Sequence, residues 1–292
     1  MAGTDLYTNE AIAALEIADN YKSLVLDKYL FDLFTAKLID LESSDFKAFG
    51  KSLNSTTLKE VDIPLPPLGV QKKIVSEIEE IENIEKSNNK KIDELTPYLL
   101  KSQYFEYPEQ RIDRITTMVQ RGKSAKYGKS NIQIIKSGQA RGYMEFDFSQ
   151  KHYVAESFIS DERNLVKGDL LINSSGVGTA GRVTLFNLDG DFVVDSHVTI
   201  VRFKKDLVNP QYALYAFANI GFKTIEKMAT GQSGQIELAL PIINNMRIPL
   251  PPIEIQNKIV MEIEAIETEI ASLKFAISDS EEKKKAILLK YL

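Results

Sequence analysis

Ile63-Pro64-Leu65-Pro66-Pro67-Leu68-Gly69-Val70-Gln71-Lys72-Lys73-Ile74-Val75 returns as Ile248-Pro249-Leu250-Pro251-Pro252-Ile253-Glu254-Ile255-Gln256-Asn257-Lys258-Ile259-Val260. The offset is 185 residues, and between positions 62–82 and 247–267 the two copies share 14 of 21 residues. Shared helical composition does not produce that agreement, so a structural unit is written twice. Proline fixes φ and drives the residue before it out of the α region, so each copy enters extended and turns helical only after its last proline. In the first copy Ile74, Ile78 and Ile81 step at 4-3 spacing, and Ile92, Leu95 and Leu99 resume the phase. In the second, Ile259, Ile263, Ile266, Ile270, Leu273 and Ile277 continue it. This is the seam of a coiled coil, and 30 or more helical residues make a rod of roughly 45 Å or longer. Two amphipathic helices lying on separate cores would use the same stripe. Pro97 ends or kinks the first helix, and the second seam breaks after Ile277 and restarts near Ile287 and Tyr291. A weaker echo precedes each copy: residues 27–34 resemble residues 210–217, both as short amphipathic helices.

Between the repeats the period changes. Runs at 132–136, 169–172, 182–186, 192–194 and 197–203 read as strands parted by glycine turns, and 209–218 and 222–228 as helices. The fold class is therefore α+β: a mixed, β-rich domain over 105–247, flanked by two long helices that pair antiparallel. The proline motifs with their helices occupy 63–104 and 248–292, and 1–62 reads as a helical remnant of an earlier domain.

Composition narrows the chemistry. The chain has no cysteine, which removes disulfides, thiol catalysis and cysteine-ligated metal, and suits a reducing, cytoplasmic setting. No apolar run approaches a membrane span. The net charge of −5 is unevenly spread: residues 106–247 hold 18 basic against 15 acidic residues, +3, leaving −8 for the flanks. Residues 111–151 alone carry nine bases and three acids. Such a segment suits a phosphate backbone, and equally a solvated loop.

Three strings imitate known sites. Gly176-Val177-Gly178-Thr179-Ala180-Gly181 fits a dinucleotide fingerprint, but the residues after it read as a strand where that site needs a helix N-terminus. Gly122-Lys123-Ser124 resembles the end of a phosphate-binding loop, yet Thr117 stands where its first glycine belongs. Asn209-Pro210-Gln211-Tyr212 is one residue from an amino-methyltransferase motif, and is equally an N-cap followed by proline at the first helical position. His152 and His197 have no second ligand nearby, so no metal site is expected. Asp195-Ser196-His197, read as strand, sends neighbouring side chains to opposite faces and forms no relay. No catalytic residue is assigned.

Taken together, residues 29 to 292 resemble the specificity subunits of type I restriction-modification enzymes. The resemblance lies in the twice-written proline motif with Gln71 and Gln256, in residues 166–176 followed by Gly181-Arg182-Val183, and in the loop Gly231-Gln232-Ser233-Gly234-Gln235. It implies two recognition domains held apart by two antiparallel helices, each reading half of a split double-stranded DNA site. It further implies docked modification subunits that carry S-adenosylmethionine and methylate adenine, and separate restriction (motor-nuclease) subunits that cut. This chain itself would be non-catalytic and bind no cofactor. Amide, hydroxyl and cationic loop side chains then become the DNA-contact candidates: Lys126, Lys129, Lys136, Arg141, Ser174, Ser175, Gln232, Ser233 and Gln235. No full recognition domain is legible before Tyr29. A fragment, a half-subunit that dimerises with itself and the specificity portion of a fused adenine methyltransferase all fit, and a coiled-coil interaction scaffold is the alternative outside DNA reading.

Overall fold

The computed structural model describes residues 16–36, 62–232 and 235–292, and of Gln232 and Gln235 the backbone alone. Most of the helical remnant expected over 1–62 lies outside the described residues. The chain divides into two compact units, one formed by Met1–Thr96 with Thr268–Leu292 and the other by Pro97–Glu267.

In the first unit, helix α1 (Asp27–Thr35) is followed by α2 (Leu68–Leu95), which begins directly after Pro67. Pro67 holds the extended values φ −52° and ψ 146°, so the double proline sets where the helix starts. Helix α2 gives way to a single 3-10 turn, Thr96–Tyr98, at Pro97. The rest of this unit is the later part of the 39-residue helix Ile253–Tyr291, here α4. Its end packs on the start of α2 in a core of Tyr29, Leu33, Ile74, Ile78 and Leu288. Burying such side chains contributes roughly 1.5–3 kcal/mol each. At that core and beyond it the two helices run antiparallel: Glu77 accepts a hydrogen bond from Tyr291 at 2.5 Å, Glu85 pairs with Lys284 at 2.6 Å, and Lys91 with Glu269 at 2.5 Å.

The residues expected to form a coiled-coil seam are instead divided between cores. Ile74 and Ile78 are buried by α1 and the chain's C-terminal turn, and Ile259 and Ile263 lie in the core of the other unit. Ile270 is buried, whereas Ile81, Ile266, Leu273 and Ile277 are half-buried. A 4-3 stripe fits any apolar groove, so its spacing does not name its partner.

The second unit is built on an antiparallel sheet in the order β2 (Thr116–Arg121), β9 (Val198–Phe203), β6 (Leu170–Asn173), β7 (Val183–Leu185). The strand period of two sends Leu170 and Ile172 to one face and Leu171 to the other. Likewise Val201 and Phe203 oppose Val198 and Ile200. Both faces are covered, which is why these strands read as unbroken apolar runs. On one face lies helix α3 (Pro210–Ile220) with Tyr212, Leu214, Tyr215 and Phe217 buried. On the other, β3 (Gln133–Ile135) and β8 (Phe192–Val194) pair in parallel and close a core with Phe186 and Phe192. Three two-stranded ribbons complete the unit: β1 (Glu109–Arg111) with β12 (Arg247–Pro249), β4 (Ala140–Gly142) with β5 (Glu145–Phe146), and β10 (Thr230–Gln232) with β11 (Gln235–Glu237). The α+β class stands.

The repeat has the same hydrogen bonds in both copies. The buried Gln71 amide donates to Leu24 O and Pro66 O, both at 2.8 Å, and accepts from Leu26 N–H at 2.9 Å. The buried Gln256 amide donates to Leu207 O at 2.9 Å and Pro251 O at 2.8 Å, and accepts from Asn209 N–H at 2.8 Å. Tyr29 donates to Pro64 O, and Tyr212 to Pro249 O. The motif is thus a clasp: one glutamine satisfies the backbone where a short helix, a proline entry and a long helix meet, groups that burial would otherwise leave unpaired.

Candidate nucleic-acid interface

The strings that imitate catalytic sites are used up by the fold. Gly176–Gly181 is the turn of the β6–β7 hairpin, with Gly176, Gly178 and Gly181 all at positive φ. Asn209 caps α3 by accepting from the Gln211 and Tyr212 N–H groups, with Pro210 as first helical residue. Gly122 is demanded by close approach: a Cβ there would lie 2.1 Å from Val194 O. Asp195-Ser196-His197 departs from the strand expectation. It forms the turn between β8 and β9, because the Asp195 carboxylate accepts the His197 backbone N–H at 2.9 Å. Among the described residues no cluster of His, Asp and Glu is arranged to hold a metal ion, and no helix is long and apolar enough to cross a membrane.

Three chain segments meet beside that turn. Ser174 N–H donates to His197 O, Leu238 N–H donates to Ser174 O, and Ser175 bridges to Glu237. The end of β6, the β8–β9 turn and the β10–β11 ribbon are therefore one hydrogen-bonded assembly. Its side chains divide sharply. Ser174 is fully buried with its hydroxyl 2.5 Å from Thr199 Oγ1, so it is withdrawn as a DNA-contact candidate: strand alternation turned it inward, one residue from the exposed end. Ser175 faces outward and its Oγ lies 2.7 Å from Nδ1 of the exposed His197 ring. Nearby, Arg121 is held by Glu237 at 2.6 Å. Gln232 and Gln235 are the paired ends of the β10–β11 ribbon, and Ser233 lies outside the described residues.

The cations differ in how far they are committed. Arg141 is tied to Asp147 at 2.5 Å, which holds that carboxyl well below the usual carboxylate range, and Lys123 is tied to Asp161. Lys136 sits over the Tyr127 ring, 4.7 Å from its centroid. Lys126, Lys129 and Lys151 are exposed and have no acidic partner among the described residues. Lys136, Arg141, His152 and Asp195 line one open groove of about 400 Å³. Burial pushes the Asp195 carboxyl up. Asp195 lines this groove and, by accepting the His197 N–H, belongs to the same turn as the Ser175–His197 pair. The exposed lysines of this unit suit phosphates, and the Ser175 hydroxyl and His197 imidazole suit hydrogen bonds. Sequence reasoning assigned His197 no such part and missed Tyr127, since isolated His and Tyr residues carry no periodic signal.

The family of the type I restriction modification DNA specificity domain matches residues 1–96 and 116–280. The chain belongs to this family. Among specificity-domain relatives, the chain is 27% identical over 233 residues to a Haemophilus influenzae protein named as type I restriction enzyme specificity subunit S.HindORF215P, covering 74% of this chain. It spans 58% of that relative's length. The type I restriction enzyme MjaVIII specificity subunit of Methanocaldococcus jannaschii is 22% identical over 297 residues, with 90% of this chain and 69% of the relative covered. Among solved specificity-domain structures, the HsdS subunit from Thermoanaerobacter tengcongensis shares the fold with a TM-score of 0.58 at 17% identity, over 92% of this chain and 71% of that one. A chain from a type I R-M system, solved for its complex assembly and conformational transition, gives 0.63 at 17% identity over 90% and 70%.

Proposed function

We propose that this chain is the DNA sequence-recognition component of a type I restriction-modification system. The Pro97–Glu267 unit reads one half of a bipartite site, and α2 and α4 form the scaffold on which modification subunits dock. The observation that carries this is that the unit exposes Lys126, Lys129 and Lys151, without acidic partners among the described residues, together with the Ser175–His197 pair, in a specificity-domain chain whose relatives are named as specificity subunits. The division of labour is between positioning and reading: lysines neutralise phosphates without regard to sequence, while the imidazole and the amides of the β10–β11 ribbon address base edges. Chemistry belongs to the partners, with S-adenosylmethionine on the methyltransferase subunits and cleavage on the motor-nuclease subunits. Charge reversal tests this reading. Lys126→Glu with Lys129→Glu lowers duplex affinity and makes its salt dependence shallower, by a slope of about 1 for each phosphate no longer neutralised. A double variant that binds duplex DNA as the parent does, with an unchanged slope, contradicts it.

A further inference from the structure

Tyr127 is an aromatic residue on display: it is 57% exposed, yet both its backbone and its ring have partners. Its backbone forms an antiparallel bridge with Val154. On either side of it, Lys126 O accepts from Ala155 N–H at 2.8 Å and Gly128 N–H donates to Tyr153 O at 3.0 Å. A Cβ on Gly128 would lie 2.6 Å from Ala155 Cα, so the two segments are pressed together where the tyrosine emerges. The ring has neighbours as well. Lys136 Nζ lies 4.7 Å from its centroid, and the His152 ring is 5.6 Å away at an interplanar angle of 39°. The Lys136 backbone is held by Gln139, whose Oε1 accepts the Lys136 N–H at 3.0 Å. Lys126 and Lys129 flank Tyr127 in the chain and Lys151 precedes His152, all three exposed and without acidic partners among the described residues.

We infer that Tyr127 is a specificity-determining residue that meets the bases through its ring, stacking on or wedging into one base step while these lysines hold the flanking phosphates. This rests on the reading of the unit as a DNA reader and adds a mode of recognition that hydrogen bonding does not supply. A cation cluster alone suits any polyanion. A planar aromatic ring beside a lysine suits one that also presents π faces, and a tyrosine, with two χ angles, loses little entropy on stacking. Insertion of an apolar side chain also makes affinity depend on how easily a given step unstacks, so sequence is sensed without base-edge hydrogen bonds.

The test uses the full chain and the duplex that the parent enriches from a random library, with 2-aminopurine placed at successive positions. The parent raises 2-aminopurine emission at one step. Tyr127→Phe keeps that signal and binds within about twofold of the parent. Tyr127→Ala loses the signal and about tenfold in affinity for the enriched duplex, while binding scrambled duplex as before. Lys129→Gln, by contrast, weakens both duplexes alike. The inference is overturned if Tyr127→Ala binds the enriched duplex as the parent does, or weakens enriched and scrambled duplexes equally. If the parent enriches no sequence, the reading of the unit as a DNA reader falls first and this inference with it.

Discussion

Gln71 and Gln256 stand at equivalent places in the two repeats, and each turns its amide N–H groups and its carbonyl to backbone groups at a chain junction. Replacement by a leucine of similar volume would strand a buried N–H and two carbonyls. Gln256→Leu is expected to destabilise the Pro97–Glu267 unit by on the order of 3 kcal/mol, read by urea denaturation, with Gln256→Glu intermediate. The serine pair makes a sharper test of which side chains face DNA. Ser174→Ala removes a buried bond to Thr199 and should lower stability while leaving the selected DNA sequence unchanged. His197→Ala should leave the melting temperature unchanged and relax selectivity at one base pair, a change of roughly 5- to 100-fold in discrimination. Identical selectivity in His197→Ala would remove the imidazole from the reading surface. The residue scale is also where the sequence was least legible. Adjacent serines at 174 and 175 look alike in a string, and strand phase at the end of β6 decides that one is core and the other surface.

At the scale of elements, the proline motif was readable because its physics is local: proline bars the helix before it, and the apolar stripe demands one after it. The central strands were readable because both their faces are buried. Among the strands that escaped were β2, whose Thr116, Thr117, Gln120 and Arg121 are polar, and β1, whose Glu109 and Gln110 are exposed along the edge ribbon. Strands of that kind are specified by the partner across the ladder and not by their own pattern. Glycine in this unit carries packing information that spacing alone does not give. Gly122 ends β2 where the carbonyls of Val194 and Asp195 crowd it, at 2.1 and 2.4 Å from a hypothetical Cβ. Gly122→Ala must push the β8–β9 turn away. Differential scanning calorimetry should show a drop of several degrees in Tm, and the same variant should lose sequence selectivity because the turn carries His197. A variant with unchanged Tm would rule out this packing.

For the whole molecule, the acidic total of −5 conceals a middle domain of the opposite sign. Partial reading of charge by segment was possible from the sequence, but which bases are free was not. The structure binds Arg111, Arg121, Lys123 and Arg141 to carboxylates and leaves Lys126, Lys129 and Lys151 unpaired among the described residues. The buried tyrosines give a global prediction in pH. Burial, with Glu262 beside it, pushes Tyr104 up to about 12, and burial with Glu267 does the same for Tyr215. Below pH 10 the tyrosines are protonated in folded and unfolded chain alike, and their contribution is intact. Between pH 10 and about 12 the unfolded chain ionises first, so stability falls as pH rises. Tyr104→Phe with Tyr215→Phe should flatten that fall in denaturant titrations at pH 9 and 11. Whether the Pro97–Glu267 unit reads sequence at all is decided by selection from a random duplex library with and without modification subunits. Enrichment of a defined half-site is expected, weakening in His197→Ala and persisting in Ser174→Ala. Absence of any enriched sequence under either condition would refute it.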